Sequence, residues 1–255
     1  MRRAGLQKSF RQLTPTLKDS TLLVVPPEDY IDYVRVWGKD SVVSCDVHGI
    51  APTRDWIFKY ARLNNWRDIV MLDDDLTFQR LRLDGRITNC EPHEVDDAFA
   101  WLEHRLGDGY AHAGFAVRFS DKGGGSGEKS PSRMMHVLGY NLELVPEDVS
   151  FGAGATEYET FSMDDFNMTL QLLTRGIVNI VSQEWRTSPS PGNAKGGAST
   201  WRNLKTQNQS AHDLKRLFPR HVAIRQKNNW QGMEGGEMYD VTVQWKGAYN
   251  GARRP

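Results

Sequence analysis

The chain has 255 residues, enough to bury a full core as one large α/β domain or two small ones. Its 32 Lys and Arg balance 32 Asp and Glu, which excludes a protein that is basic throughout, so nucleic-acid binding would need a local basic face. Cys45 and Cys90 lack metal-ligand spacing and read as reduced small residues, and no apolar run suits a membrane span or a secretory signal; a soluble, cytoplasmic protein with no membrane partner is the expectation.

Residues 1–20 carry Arg2, Arg3, Lys8, Arg11 and Lys18 with few large apolar residues, and read as a loose basic arm. The apolar run 21–25 predicts a first strand, stopped by Pro26 and Pro27, which cannot donate to a ladder. A short helix over 29–33 and a second strand over 40–45 follow. Thr53 is the expected N-cap of a helix over 54–64, where Trp56, Ile57, Tyr60, Ala61 and Leu63 form an apolar face. The run 69–72 then predicts a short buried strand ending on Asp73, Asp74 and Asp75. This alternation favours a mostly parallel sheet with covered faces.

Three adjacent carboxylates repel one another unless a cation, basic side chains or helix termini compensate. Ligands of open α/β sheets gather beyond the carboxyl ends of strands, and Mg²⁺ or Mn²⁺ prefer carboxylate oxygens, often together with substrate phosphates. The competing reading is an acidic turn that caps the next helix.

Further on, Asp84 and Gly85 turn a hairpin within 77–87, a helix spans 94–106, and a strand runs over 111–119. The glycine-rich stretch 120–131 lacks the strand-helix frame and Gly-Lys-Ser/Thr ending of a phosphate loop and reads as a mobile loop. His136 reads as a packed core histidine. Ser162 as N-cap, Asp164 and Asp165 in the first turn and Gly176 as the stop predict a helix, followed by a strand over 177–182. Residues 186–202 form either a lid over a phosphate ligand or a disordered stretch. A helix over 210–218 and strands at 222–224 and 240–245 complete the chain.

The segments Gly49-Ile50-Ala51-Pro52-Thr53-Arg54, Val70-Met71-Leu72-Asp73-Asp74-Asp75 and Met163-Asp164-Asp165-Phe166 together resemble a GT-A glycosyltransferase. The helix beginning Asp-Asp-Phe-Asn-Met-Thr-Leu at 164 and the run Gly-Gly-Ala-Ser-Thr-Trp-Arg at 196–202 look like the TET-associated glycosyltransferases. These are found mainly in bacteriophages and are implicated in adding sugars to hydroxymethylated pyrimidines in DNA.

The resemblance implies an α/β fold with a GT-A-like, Rossmann-type mixed and mostly parallel sheet flanked by helices. It covers 21–225, with 226–255 as an extension packed on the same domain. It implies a UDP-sugar donor, glucose or another hexose, and an acceptor such as 5-hydroxymethylcytosine in DNA. Asp73 and Asp75 would hold a divalent metal, Mn²⁺ or Mg²⁺, Asp73 and Asp74 would meet the donor diphosphate, and Arg54 would pair with that diphosphate or steady the acidic motif. Asp164 or Asp165 would supply the acceptor-side base; adjacent helical residues diverge by about 100°, so at most one points at the acceptor, Asp165 being preferred and Asp164 then a ligand of sugar hydroxyls. Neither His212 nor His221 sits in a motif for a third metal ligand.

For DNA, Arg80, Arg82, Lys122, Lys129, Arg133, Lys195 and Arg202 are a candidate basic rim, with Trp185, Trp201 and Trp230 nearby. A protein or saccharide acceptor stays open, as does an inactive nucleic-acid-binding module. The two intact acid pairs argue against the module.

Overall fold

The computed structural model describes residues 4–118, 127–189, 202–227 and 236–252. In chain order the elements are α1 (Lys8–Gln12), α2 (Pro15–Asp19), β1 (Leu23–Val25), α3 (Pro27–Trp37), β2 (Val42–Ser44), α4 (Ile50–Leu63), β3 (Asp68–Leu72), β4 (Thr77–Leu81), β5 (Ile87–Asn89) and α5 (Pro92–Gly107). There follow β6 (His112–Val117), β7 (Glu128–Lys129), β8 (Val137–Asn141), α6 (Asp164–Leu173), β9 (Asn179–Ser188), α7 (Leu204–Leu217), β10 (Val222–Lys227), β11 (Met238–Val243) and α8 (Trp245–Ala252).

The central sheet runs β3-β8-β6-β9-β4-β5, with β7 beside β9. It is a mixed sheet flanked by helices. Its neighbours pair in parallel only at β6–β9, whereas β3–β8, β6–β8, β4–β9, β4–β5 and β7–β9 are antiparallel. The expected parallel pattern rested on strand-helix alternation, which holds only as far as β3; β1 and β2 pair in parallel with each other in a separate ladder. One face of the central sheet packs Met71, Leu138 and Tyr140 against Phe58 of α4 and the apolar side of α6. The other packs Phe78 and Phe115 against Val95, Leu102 and Leu106 of α5.

Several boundaries depart from expectation for local reasons. Residues 4–20 are no loose arm: Phe10 and Leu13 are buried beside Leu76 and Phe78, so α1 is stitched to the sheet by apolar contact. Helix α4 starts at Ile50 rather than after Thr53, whose hydroxyl instead donates to the Gly49 carbonyl at 2.7 Å. Gly49 has φ +93°, and a Cβ there would stand 2.1 Å from the Glu159 carbonyl oxygen, so the start of α4 depends on a residue with no side chain. Ser162 does not cap α6; its backbone N–H donates to Ser210 and its hydroxyl to Gln207, both on α7. Helix α7 begins earlier than expected, behind a capping box of Asn203 and Thr206, and α8 had no counterpart in the sequence reading. Most of the glycine-rich loop and most of the 186–202 segment lie outside the described residues, as do Lys122, Lys195, Trp201 and Trp230.

His112 sits in the middle of this sheet, 1 % exposed and stacked on Tyr140 with ring centroids 4.3 Å apart. Neither ring nitrogen has a hydrogen-bond partner among the described residues, and burial pushes its pKa down to about 3. The unfolded chain therefore binds a proton at this ring below its ordinary value of 6.5, and the folded chain does not. Stability from this group is fully present above pH 6.5 and is lost as pH falls toward 3, on the order of 1.4 kcal/mol per pH unit. His112→Phe is expected to flatten that loss without lowering stability at neutral pH. Urea unfolding at pH 7.5, 6 and 5 measures it, and equal acid sensitivity in both proteins would refute it.

Candidate active site

Strand β3 delivers Asp73 to the edge of its pairing with β8. There the Asp73 amide donates to the His136 carbonyl at 3.0 Å, and the His136 ring Nδ1 lies 2.6 Å from Asp73 Oδ2. His136 has φ +67°, an uncommon conformation that turns its ring back to the acid it contacts through its carbonyl. The histidine expected to be a packed core residue is thus part of the acidic site.

Arg54, in the second turn of α4, joins the two acidic segments. Its guanidinium donates to Asp73 Oδ1 at 2.8 Å and to Asp164 Oδ2 at 2.5 Å, and its Cζ lies 5.7 Å from the centre of the Phe151 ring. A planar fork can serve two carboxylates from two separate nitrogens in fixed directions, whereas a lysine has only one donor nitrogen. Arg54, Asp164 and Asp165 are all buried. The arrangement gathers acids from β3 and α6 that are 91 positions apart in sequence, Asp73 and Asp164.

The electrostatics follow from three carboxylates sharing one guanidinium. Burial raises the Asp164 pKa most, the charges of Asp165 and Asp73 add to that, and Arg54 offsets only part, leaving it at about 6. Asp73 is also penalised by burial, but the His136 hydrogen bond and the Arg54 charge outweigh it and hold its pKa below the usual carboxylate range. Burial works against the Arg54 charge, yet Asp164, Asp73 and Asp165 keep it firmly protonated. The site therefore has a surplus of negative charge.

The loop after β3 is held from outside by the N-terminal helix. Ser9 N–H donates to the Asp74 carbonyl at 3.1 Å, its hydroxyl bonds the Asp73 carbonyl, and the Leu76 amide donates to Ser9 Oγ at 2.9 Å. Gln12 donates to the Leu76 carbonyl at 2.7 Å and accepts from the Phe78 amide at 3.1 Å. Asp74 is exposed, and Gln7 Nε2 reaches its carboxylate at 3.4 Å; Asp75 is half-buried. Sequence reasoning missed Ser9 and Gln12, although the apolar pair Phe10 and Leu13 was a signal that this segment is packed.

Asp165 is 8 % exposed and accepts no hydrogen bond from another described residue. Among the described residues no group of three His, Cys, Asp or Glu side chains is placed to hold a metal ion. His212 is exposed, edge-on to Tyr239, and His221 lies against Gly247 and Gly251; neither joins the site. The expected basic rim also changes. Arg80 and Arg82 are tied to Glu94, and Arg80 also to Glu184, over a buried Trp185 whose ring centre is 4.8 Å from the Arg80 Cζ.

The site is thus a set of Arg-bridged acids at one strand end and one helix start of a mixed α/β domain. The family model for the TET-associated glycosyltransferases matches residues 7–186, and the chain belongs to that family. The match begins within the N-terminal segment that grips the acidic loop and spans Arg54, Asp73, His136 and Asp164. No curated protein and no solved structure matches the chain. Among the described residues no helix is long and apolar enough to cross a membrane.

Proposed function

We propose that this glycosyltransferase moves a hexose, glucose being the first candidate, from a UDP-sugar to the hydroxymethyl group of 5-hydroxymethylpyrimidine, in the first instance 5-hydroxymethylcytosine, in phage DNA. The observation that carries this reading is the Arg54 bridge, because it joins a donor-side acid, Asp73, to the acid pair of α6. The GT-A likeness of the Asp73 loop belongs to the same proposal.

The acids fit a divalent cation. Asp73 accepts one bond on each oxygen, so two of the roughly four lone-pair sites of a carboxylate stay open, and Asp75 follows two residues later. Mn²⁺ or Mg²⁺ commonly takes one or two carboxylates and completes its shell with water and substrate phosphates, so a three-residue cage is not required. Asp73 and Asp75 would hold it, with Asp74 beside the donor, and the bound cation would stabilise charge on the departing nucleoside diphosphate.

The chain's own residues divide the remaining work. Arg54 fixes Asp73 and Asp164 relative to each other and compensates the buried charge of Asp164 and the half-buried charge of Asp73. Asp164 gives Oδ2 to Arg54 and is buried, which makes it a positioning residue rather than a ligand of sugar hydroxyls. Asp165, on the same first turn and without such a partner, is the carboxylate left to take the proton from the acceptor hydroxyl as it attacks the sugar carbon.

Incubation with nucleotide sugars and DNA containing cytosine, hydroxymethylcytosine or hydroxymethyluracil, read by nucleoside mass spectrometry, tests the reaction. A hexose mass gain on hydroxymethylated DNA is expected, lost on chelation and in Asp75→Asn. Gain on a protein or oligosaccharide but never on DNA would replace the acceptor, and full activity of Asp75→Asn would remove the metal assignment.

A further inference from the structure

The chain is neutral as a whole but not in its parts. Residues 187–255, beyond the family match, carry 11 basic residues against 4 acidic, whereas residues 1–186 carry 21 against 28. The acidic part contains a site with three carboxylates around one guanidinium, which repels a phosphate backbone. An enzyme that acts on DNA with such a site needs its polyanion affinity elsewhere.

The basic part reaches that site through a continuous set of contacts. Arg220 is exposed in the turn between α7 and β10, and its neighbour His221 accepts from the Gln244 amide at 2.9 Å and lies against Gly247 of α8. Lys246, exposed on α8, adjoins Trp245, whose ring stacks on Phe166 of α6 with centroids 5.6 Å apart. Phe166 directly follows Asp165. Over Phe166 also lies Arg133, exposed, with its Cζ 4.2 Å from the ring centre.

The segment that carries Arg133 is fixed on both sides. The Ser132 backbone exchanges bonds of 3.0 and 2.7 Å with the Asn179 side chain, and His136 holds Asp73. None of Arg133, Arg220 and Lys246 pairs with a carboxylate among the described residues, while Arg80, Arg82, Arg105 and Arg175 each do.

Resting on the reading of DNA as acceptor, we infer that the turn at Arg220, helix α8 and Arg133 form a DNA-docking face that leads the phosphate backbone to Asp165. Trp245 and Phe166 are its apolar support, and the charges are set along it for phosphate contact, without reading the base.

The test measures binding of unmodified duplex DNA by fluorescence anisotropy between 50 and 300 mM salt, for the full chain and for the triple variant Arg133→Ala/Arg220→Ala/Lys246→Ala. Each lost phosphate contact is expected to shallow the log–log salt slope by about 0.9, so the variant loses between about two and three and binds at least about tenfold more weakly at low salt. Its thermal midpoint and its acceptor-free hydrolysis of nucleotide sugar stay unchanged, and Arg220→Lys/Lys246→Arg binds like the wild type. An unchanged slope in the triple variant, or no DNA binding by the wild type at low salt, overturns the inference. If the slope changes but hydroxymethylated DNA gains no sugar, the docking face stands and the acceptor reading falls; sugar transfer with an unaltered slope has the opposite meaning.

Discussion

Arg54→Met is expected to abolish sugar transfer and to destabilise the fold by about 3–5 kcal/mol, the cost of removing one partner from a buried charge pair. Here the loss falls on two carboxylates, since the same guanidinium donates to Asp73 and Asp164. Because Asp164 already titrates near 6, loss of the arginine raises its pKa further and favours its neutral form at pH 7. The damage should therefore be partly reversible. Arg54→Met/Asp164→Asn is expected to recover part of the stability of the single variant, and chemical denaturation of the four proteins of this cycle gives the coupling directly. Strict additivity would mean that the two residues do not act on each other. Arg54→Lys is a sharper probe of geometry, because an ammonium keeps the charge but lacks the fork that spans both acids. It should keep more of the stability than of the activity.

Asp165→Asn should behave in the opposite way, with a fold as stable as the wild type and a kcat lower by about 10²–10⁴, the usual worth of a general base. Asp165 accepts no hydrogen bond from another described residue, so the amide takes an acceptor from none of them. Stability is if anything improved, because removing its negative charge relieves Asp164. The decisive readout is the split between steps. Hydrolysis of the nucleotide sugar without acceptor should persist while transfer to hydroxymethylated DNA falls. Equal loss of both would assign Asp165 to the donor side, and unchanged transfer would pass the role of base to another group.

The two variants separate what holds the site together from what acts in it, a distinction the hydrogen bonds already draw. Asp73 and Asp164 face inward to Arg54, and α1 grips the loop's backbone from the other side through Ser9 and Gln12. Asp74 is exposed and Asp75 half-buried. A backbone held in this way keeps a charged loop from relaxing.

Much of this was legible in the chain alone, where local chemistry leaves a local mark. The apolar run before Asp73 marked a strand, though β3 lies at the sheet edge and is half-buried except at Met71, the acids at the start of α6 marked a helix, Asp84 and Gly85 turned the β4–β5 hairpin, and the helix beginning at Asp164 pointed to the TET-associated glycosyltransferases. What the sequence could not reveal depends on which segments meet. That β3 has an antiparallel neighbour, β8, was invisible, since strand direction is set by partners distant in sequence rather than by composition. The same pairing carries His136 to Asp73 and converts an ordinary-looking histidine into a site residue.

The N-terminal segment looked like a solvated arm because charges outnumber large apolar residues there, yet two buried side chains, Phe10 and Leu13, suffice to dock it. Arg54 shows the division most clearly. Its charge and its place near a helix start were readable, but only the fold decided that one guanidinium meets both the residue after β3 and the first residue of α6, Asp73 and Asp164. A bridge between groups 19 and 110 positions away is a property of the folded chain, created when burial removes the water that would otherwise solvate each charge separately.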